Sequence, residues 1–214
     1  MFLTFRRYHL DNILSSHKWR GKVLDIGGKK ENKRGRFRPP LDSVESWEYV
    51  NIDPATTPDY LCSADAIPVA DETFDMVLMT EVLEHLESPM EALTEAHRIL
   101  KQGGHFVITM PFLYGVHADP YDFQRWTADK LRKELEDVGF AVDRLEPMGG
   151  LFAVFYDLLY LSLGMASKKR DAIKNRIARR LFMPVIGRIF FFLDDRFAYK
   201  SRWITTGWFC VVRK

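Results

Sequence analysis

The sequence predicts an α/β fold built on a mostly parallel sheet, and three observations carry that prediction. Strand-like and helix-like segments alternate along most of the chain, the pattern of layered α/β folds. The segment Phe74-Asp75-Met76-Val77-Leu78-Met79 has little polar alternation, as strands buried on both faces do. Another strand runs straight into two glycines, Val23-Leu24-Asp25-Ile26-Gly27-Gly28, a turn that lets backbone approach a ligand.

Each element has its own signals. Residues 2–18 read as an opening helix inside an N-terminal arm, residues 1–20. Lys22–Ile26 is a short apolar strand, and the basic, Pro39-Pro40-containing stretch 29–45 reads as a loop. Trp47–Ile52 is a second strand stopped by Asp53-Pro54, Tyr60–Ser63 a weak third, and Thr73–Met79 a fourth. Ser88-Pro89-Met90-Glu91 opens a helix, with Ser88 as N-cap, Pro89 at the first position and Glu91 completing a capping box. Met90, Leu93, Ala96 and Leu100 share one face of it, and Gly103-Gly104 is expected to end it before a strand at His105–Met110. Thr127 starts a helix with Leu131, Leu135 and Val138 inward and Gly139 as its stop. Ala141–Leu145 is a strand, residues 150–196 form a helical insertion, and Trp203–Val212, rich in aromatic and β-branched residues, is the last strand.

The 214 residues carry 31 Lys and Arg against 29 Asp and Glu, so the net charge is only +2. That total excludes a generally basic nucleic-acid coat, but it hides an asymmetry. Residues 1–40 carry net +8, residues 41–166 net −16, and residues 167–202 net +8. Basic ends around an acidic middle point to an anionic partner or surface, or to ends that fold against the middle. Nucleic acid is the minority reading, because no recognised RNA-binding module accompanies Arg34–Arg38 and the aromatic arm. Cys62 and Cys210 lack metal-type spacing and form no disulfide framework, which suits a reduced, cytoplasmic setting. The first residues carry charge too early for a signal peptide. The apolar run Leu151–Ala166 is shorter than the roughly 20 residues a bilayer span needs, and it contains Asp157.

Two acids frame the glycine turn. Asp25 sits just before Gly27-Gly28, and Asp53 ends the next strand, where doubly wound folds bind ribose hydroxyls. Their separation of 28 residues exceeds the usual spacing of ~20, and the basic loop 29–45 accounts for the excess. No Gly-x-Gly-x-x-Gly is present, which argues against a plain dinucleotide oxidoreductase.

With these blocks, the sequence resembles the class I S-adenosylmethionine (SAM)-dependent methyltransferases. The resemblance rests on Val23–Gly28, Asn51-Ile52-Asp53, Ala64-Asp65-Ala66-Ile67-Pro68, Phe74–Val77 leading into Glu81-Val82-Leu83-Glu84-His85-Leu86, and Ile99–Gly104. It implies a Rossmann-like, seven-stranded, mostly parallel sheet with an antiparallel last strand, helices on both faces, and residues 1–214 as one domain. The helical insertion 150–196 would lie between strands six and seven. The resemblance also implies SAM as cofactor, with Asp25, Gly27 and Gly28 along its methionine part and Asp53 on the ribose. Asp65 would meet the adenine amino group with Ala66 and Ile67 beside the ring, and Thr80 and Glu81 would close the pocket. The family commonly carries acid-x-Gly-x-Gly-x-Gly, whereas this chain has Lys29 and Glu31 at the later glycine positions. That departure supports an alternative, a non-catalytic methyltransferase-like binding module.

Residues 111–127 follow the fifth strand, where open α/β sheets keep their ligand crevice. His117 could take a proton from an attacking hydroxyl, Asp119 or Asp122 could orient it, and Arg125 could hold an anionic substrate group. Equally, Asp122 and Arg125 could simply pair while Thr127 caps a helix. His85, at a helix start, reads as structural or pocket-lining. The spacing resembles a His-x-x-Pro-x-Asp-x-x-Arg-x-Thr pattern of methyltransferases from bacterial surface-glycan gene neighbourhoods. It implies a hydroxyl of a sugar, glycolipid or lipid-linked intermediate as the acceptor. The insertion 150–196 joins apolar stretches to a Lys/Arg-rich one, Lys168 to Arg180. Two readings stay open for it: peripheral contact with the inner membrane face, or a buried lid or homodimer face over the cleft.

Overall fold

The computed structural model describes residues 4–31, 35–117, 120–163, 181–198 and 203–214. Seven strands form one sheet: β1 (Lys22–Ile26), β2 (Ser46–Asn51), β3 (Tyr60–Leu61), β4 (Phe74–Thr80), β5 (Leu100–Pro111), β6 (Ala141–Pro147) and β7 (Gly207–Arg213). Their order is β3-β2-β1-β4-β5-β7-β6. Every pairing from β3 to β5 is parallel, and β7 runs antiparallel to both β5 and β6. This is the Rossmann-like, mostly parallel sheet that the resemblance implies. From β1 and β4 the chain proceeds outward in opposite directions, so the crevice of this sheet opens above the carboxyl ends of those two strands.

Helices cover both faces: α1 (Phe5–Ser16), α2 (Pro89–Ile99), α3 (Ala128–Val138), α4 (Leu151–Ser162) and α5 (Met183–Leu193). Alternate residues of one strand feed two cores. Leu24, Val77, Met79, Phe106 and Ile108 pack with Leu93, Ala96, Leu131 and Leu135 of α2 and α3. Val23, Met76, Leu78 and Val107 pack on the opposite side with Leu10 and Leu14 of α1 and with Trp19 and Trp47. Burial on both faces explains why these strands lack polar alternation.

Several boundaries differ from the sequence expectation. α2 stops at Ile99, and β5 already begins at Leu100, so Gly103-Gly104 lies within β5 rather than ending the helix. The glycines occupy an irregularity in the β4–β5 ladder, where register shifts between Phe74 and Met76. There Gly104 approaches the backbone carbonyl of Lys101 too closely for a side chain. Ser88 is the N-cap residue of α2, but its side chain makes no capping bond, so the expected capping box is not formed. α3 behaves as read, with the Thr127 hydroxyl accepting from Lys130 N–H and Gly139 left-handed at φ +108°. β7 starts at Gly207, later than Trp203, and Trp203 itself is exposed.

The insertion is helical where it is described, and its Lys168–Arg180 segment lies outside the described residues. α4 and α5 pack with the start of α1 through Phe5, Ala153, Tyr156, Tyr160 and Met183. Two buried acids pin these helices by their amino ends. Asp157 of α4 accepts the Phe5 and Arg6 N–H groups at 2.5 and 3.0 Å. Asp194 accepts from Gly150, Phe152 and Ala153 at 2.8, 3.1 and 3.2 Å. A carboxylate at a helix amino terminus satisfies orphan donors and meets the positive end of the dipole. No helix among the described residues is long and apolar enough to cross a membrane.

Candidate functional site

A cavity of about 530 Å³ opens over the carboxyl ends of β1, β2 and β4. Its floor begins where β1 ends. Gly27 N–H continues the ladder to Val50 O at 2.8 Å, then the chain turns at φ +82°, a conformation glycine adopts without strain. A Cβ on Gly28 would fall on the Asp25 carboxyl group, so the glycine leaves room for that acid at the cavity wall. Lys29 and Glu31 stand where later glycines are common, and the turn is braced from outside instead. The Asn51 amide donates to Gly27 O and Gly28 O at 3.2 and 3.0 Å, and its Oδ1 accepts Asp53 N–H at 2.9 Å.

Asp53 follows at the end of β2 and lines the cavity, with one carboxylate oxygen accepting Ala55 N–H at 2.9 Å. Thr80 and Glu81 reach the cavity from the end of β4. Glu81 holds a left-handed backbone at φ +57°, uncommon for a non-glycine residue, which turns its side chain inward. Its carboxylate pairs with the buried Arg6 guanidinium and accepts from the Thr109 hydroxyl at 3.1 Å. Arg6 also lies over the Tyr114 ring at 3.7 Å, and burial holds its pKa below the ordinary arginine value.

The cavity therefore gathers Asp25, Gly27, Gly28, Asp53, Thr80, Glu81 and His117 from the sequence-derived set. Asp65, Ala66 and Ile67, expected beside the adenine, are not among the cavity-lining residues. Cys62, Ser63 and Ala64 line the cavity, whereas Asp65 and Ala66 are exposed outside the lining described. Ile67 turns into the core, and its N–H donates to Glu95 at 2.8 Å.

At the far end, His117 N–H donates to Asp122 Oδ2 at 2.8 Å. Asp122 and Arg125 form a two-pronged ion pair that holds the Asp122 carboxyl down at about 2. Neither is among the lining residues. The two thus pair, as the alternative has it, and Asp122 also holds His117 through its backbone N–H. Asp119 lies outside the described residues.

Sequence reasoning missed one wall. Arg6, Arg7, Asp11 and Leu14 of α1, with Phe37 of the basic loop, also line the cavity. Asp11 ties the two together by accepting Arg36 N–H at 2.8 Å. No local sequence pattern announces these contacts, because they are long-range. It also passed over Glu84, which is fully buried beneath His85 and His117.

Residues 42–108 match the family model described as a methyltransferase domain. The ubiquinone biosynthesis O-methyltransferase of Parvibaculum lavamentivorans is 40% identical over 62 residues, 28% of this chain and 24% of that protein. The match thus spans about a quarter of that relative's length. Among solved structures, the cyclase SpnF superposes with a TM-score of 0.58 at 16% identity, covering 96% of this chain and 79% of that one. The Haemonchus contortus phosphoethanolamine N-methyltransferase 2, solved with S-adenosyl-L-methionine, gives 0.57 at 14% identity, over 98% and 52%. At such identities the likeness concerns the fold, and a fold hosts more than one chemistry.

Proposed function

We propose that this protein is a SAM-dependent methyltransferase acting on a hydroxyl of a sugar, glycolipid or lipid-linked acceptor. One observation carries the reading: a single cavity joins the strand-end acids Asp25 and Asp53 and the Gly27-Gly28 turn to the histidine end of the sheet. The match of residues 42–108 to a methyltransferase domain supports it.

The residues present fit the cofactor. The cavity has the size of a small-molecule site. Carboxylates suit hydroxyl and ammonium donors, and the Gly28 position would be filled by any Cβ. Asp53 would hold the ribose hydroxyls, Asp25 with Gly27 and Gly28 the methionine part, and Cys62 to Ala64 one side of the adenine. When bound, SAM supplies an electrophilic methyl group on a sulfonium. The chain's own contribution is to align the acceptor oxygen with that carbon and exclude water. α1 and Phe37 close one side, and the Arg6–Glu81 pair fixes the wall nearest β4. His117 and His85 meet the acceptor and its proton at the opposite end, above the buried Glu84.

Isothermal titration with SAM tests the reading: saturable binding is expected, and none at millimolar cofactor would sink it. Asp53→Ala should weaken binding sharply, and retained affinity would refute the ribose assignment. The alternative, a non-catalytic binding module, draws on Lys29 and Glu31. It predicts SAM binding without methyl transfer to any hydroxyl acceptor, and radiolabel transfer from SAM would exclude it. The bracing by Asn51 favours the enzyme, since the turn keeps its shape without the later glycines.

We further infer peripheral docking at the inner face of the cytoplasmic membrane. Phe182, Val185, Ile189 and Phe192 fall on one side of α5 at three- and four-residue spacing, and all are exposed. Such a surface suits an enzyme with a lipid-linked acceptor. Self-association through the same face is the competing occupant.

A further inference from the structure

We propose that Glu84, His85 and His117 form a binding site for one divalent transition-metal cation, with zinc as the model ion. The inference deepens the methyltransferase reading, on which its catalytic role rests, although the site itself stands on geometry alone.

Glu84 is 0% exposed, and neither of its carboxylate oxygens has a hydrogen-bond partner among the described residues. An ionised carboxylate so placed is strongly disfavoured unless a cation meets it. The nearby guanidiniums act on it only at longer range, without a hydrogen bond. Arg6 is paired with Glu81 and Arg125 with Asp122. What faces Glu84 is two imidazole Nε2 atoms, each 3.7 Å from Oε1.

The other nitrogen of each ring fixes what those Nε2 atoms are. His85 Nδ1 lies 2.5 Å from Tyr121 O, and His117 Nδ1 lies 3.1 Å from Gly115 O. A carbonyl oxygen only accepts, so both Nδ1 atoms carry the proton, and in each neutral ring Nε2 presents a lone pair. Backbone carbonyls holding Nδ1–H are the outer partners that orient metal-binding histidines. With both rings neutral, two nitrogen lone pairs and the Glu84 carboxyl group face one another. Their ligand atoms all lie within 4.8 Å of one another. Ligands about 2.1 Å from a tetrahedral zinc stand roughly 3.4 Å apart, close to the 3.7 Å between each Nε2 and Glu84 Oε1.

The chemistry of the set is selective. Two imidazoles and a carboxylate suit zinc and its neighbours rather than magnesium or calcium, and three protein ligands leave a position open. His85 and His117 both line the cavity, so that position would be reached from it. An acceptor hydroxyl bound there would be acidified by the cation. Its proton would pass to water, and the oxygen lone pair would form the bond to the methyl carbon. The electron pair of the breaking carbon–sulfur bond would return to sulfur.

The test uses the full chain, freed of metal by chelation and dialysed. Zinc titration calorimetry and the visible bands of added cobalt(II) are read for wild type, Glu84→Gln and His117→Asn. One cation per chain is expected, weakened in each variant by more than the 10–100-fold typical of losing an outer partner. His117 sits in a loop, so His117→Asn keeps the test sound should the buried Glu84→Gln fail to fold. No wild-type binding, a ratio other than one, or equal affinity in wild type and His117→Asn would overturn the site. SAM titration of the same samples separates the two readings. Metal without SAM defeats the methyl-transfer reading alone, and SAM without metal defeats this one alone.

Discussion

At the residue scale, the glycine turn depends on two side chains outside it. Asn51 donates to both glycine carbonyls, and Asp25 occupies the volume a residue-28 side chain would need. Asn51→Ala removes both donors and should cost about 1–2 kcal/mol of stability, measurable by urea denaturation, while weakening SAM binding at least tenfold. Gly28→Ala should displace the Asp25 carboxyl and lower SAM affinity further, with a stability cost of about 1–3 kcal/mol. Equal SAM affinity in all three proteins would show that the turn does not shape the site. The strand-end acids were legible in the sequence because topology dictates where a parallel strand ends. Asp65 is not among the lining residues, whereas Ser63 and Ala64 just before it are, and side-chain direction in the segment after β3 is not set by a strand period. Glu84 reads as one more acid in a helical block, and only three-dimensional burial distinguishes it.

At the element scale, α1 is held by a contact no local pattern announces. Its first N–H groups are capped by Asp157, some 150 residues away in sequence. Burial lifts that carboxyl to about 7, against the backbone N–H groups and the Arg6 charge that pull it down, while Asp194 adds to the rise. The folded state thus holds a proton at pH values where the unfolded chain has released it. Stability should therefore rise as pH falls from 8 through about 7 toward the ordinary carboxylate range, by at most about 1.4 kcal/mol per pH unit. Asp157→Asn removes the titrating group, so its melting temperature should lack this part of the pH slope. Identical slopes in the two proteins would mean the group does not titrate there. The strands and α3 were readable because their signals are local: apolar runs, Thr127 and Gly139. The end of α2 was misread because Gly103-Gly104 are equally good stop signals and bulge residues, and sheet pairing decided between them.

At the scale of the molecule, the near-zero charge is a cancellation between regions with different work. The acidic middle holds most of the sheet and the strand-end acids Asp53 and Glu81, whereas the basic ends include α1, its loop and the insertion. Part of the first end folds against the middle, as the Arg6–Glu81 and Lys30–Asp59 pairs show. In the second end a Lys/Arg-rich sequence, outside the described residues, precedes exposed apolar side chains on α5, a combination that suits anionic lipid surfaces. Wild-type protein should therefore co-sediment with vesicles containing anionic phospholipid, and the Phe182→Ser, Ile189→Ser, Phe192→Ser triple variant should stay in the supernatant. These positions lie away from the cavity lining, so SAM affinity should be unchanged in the variant. Salt separates the two contributions: exposed charges are largely screened at physiological ionic strength, whereas apolar insertion is not. Binding that vanishes between low and physiological salt would assign the contact to charge alone. A dimer in vesicle-free sedimentation that the triple variant abolishes, with no vesicle binding by wild type, would instead make α5 the interface between two copies.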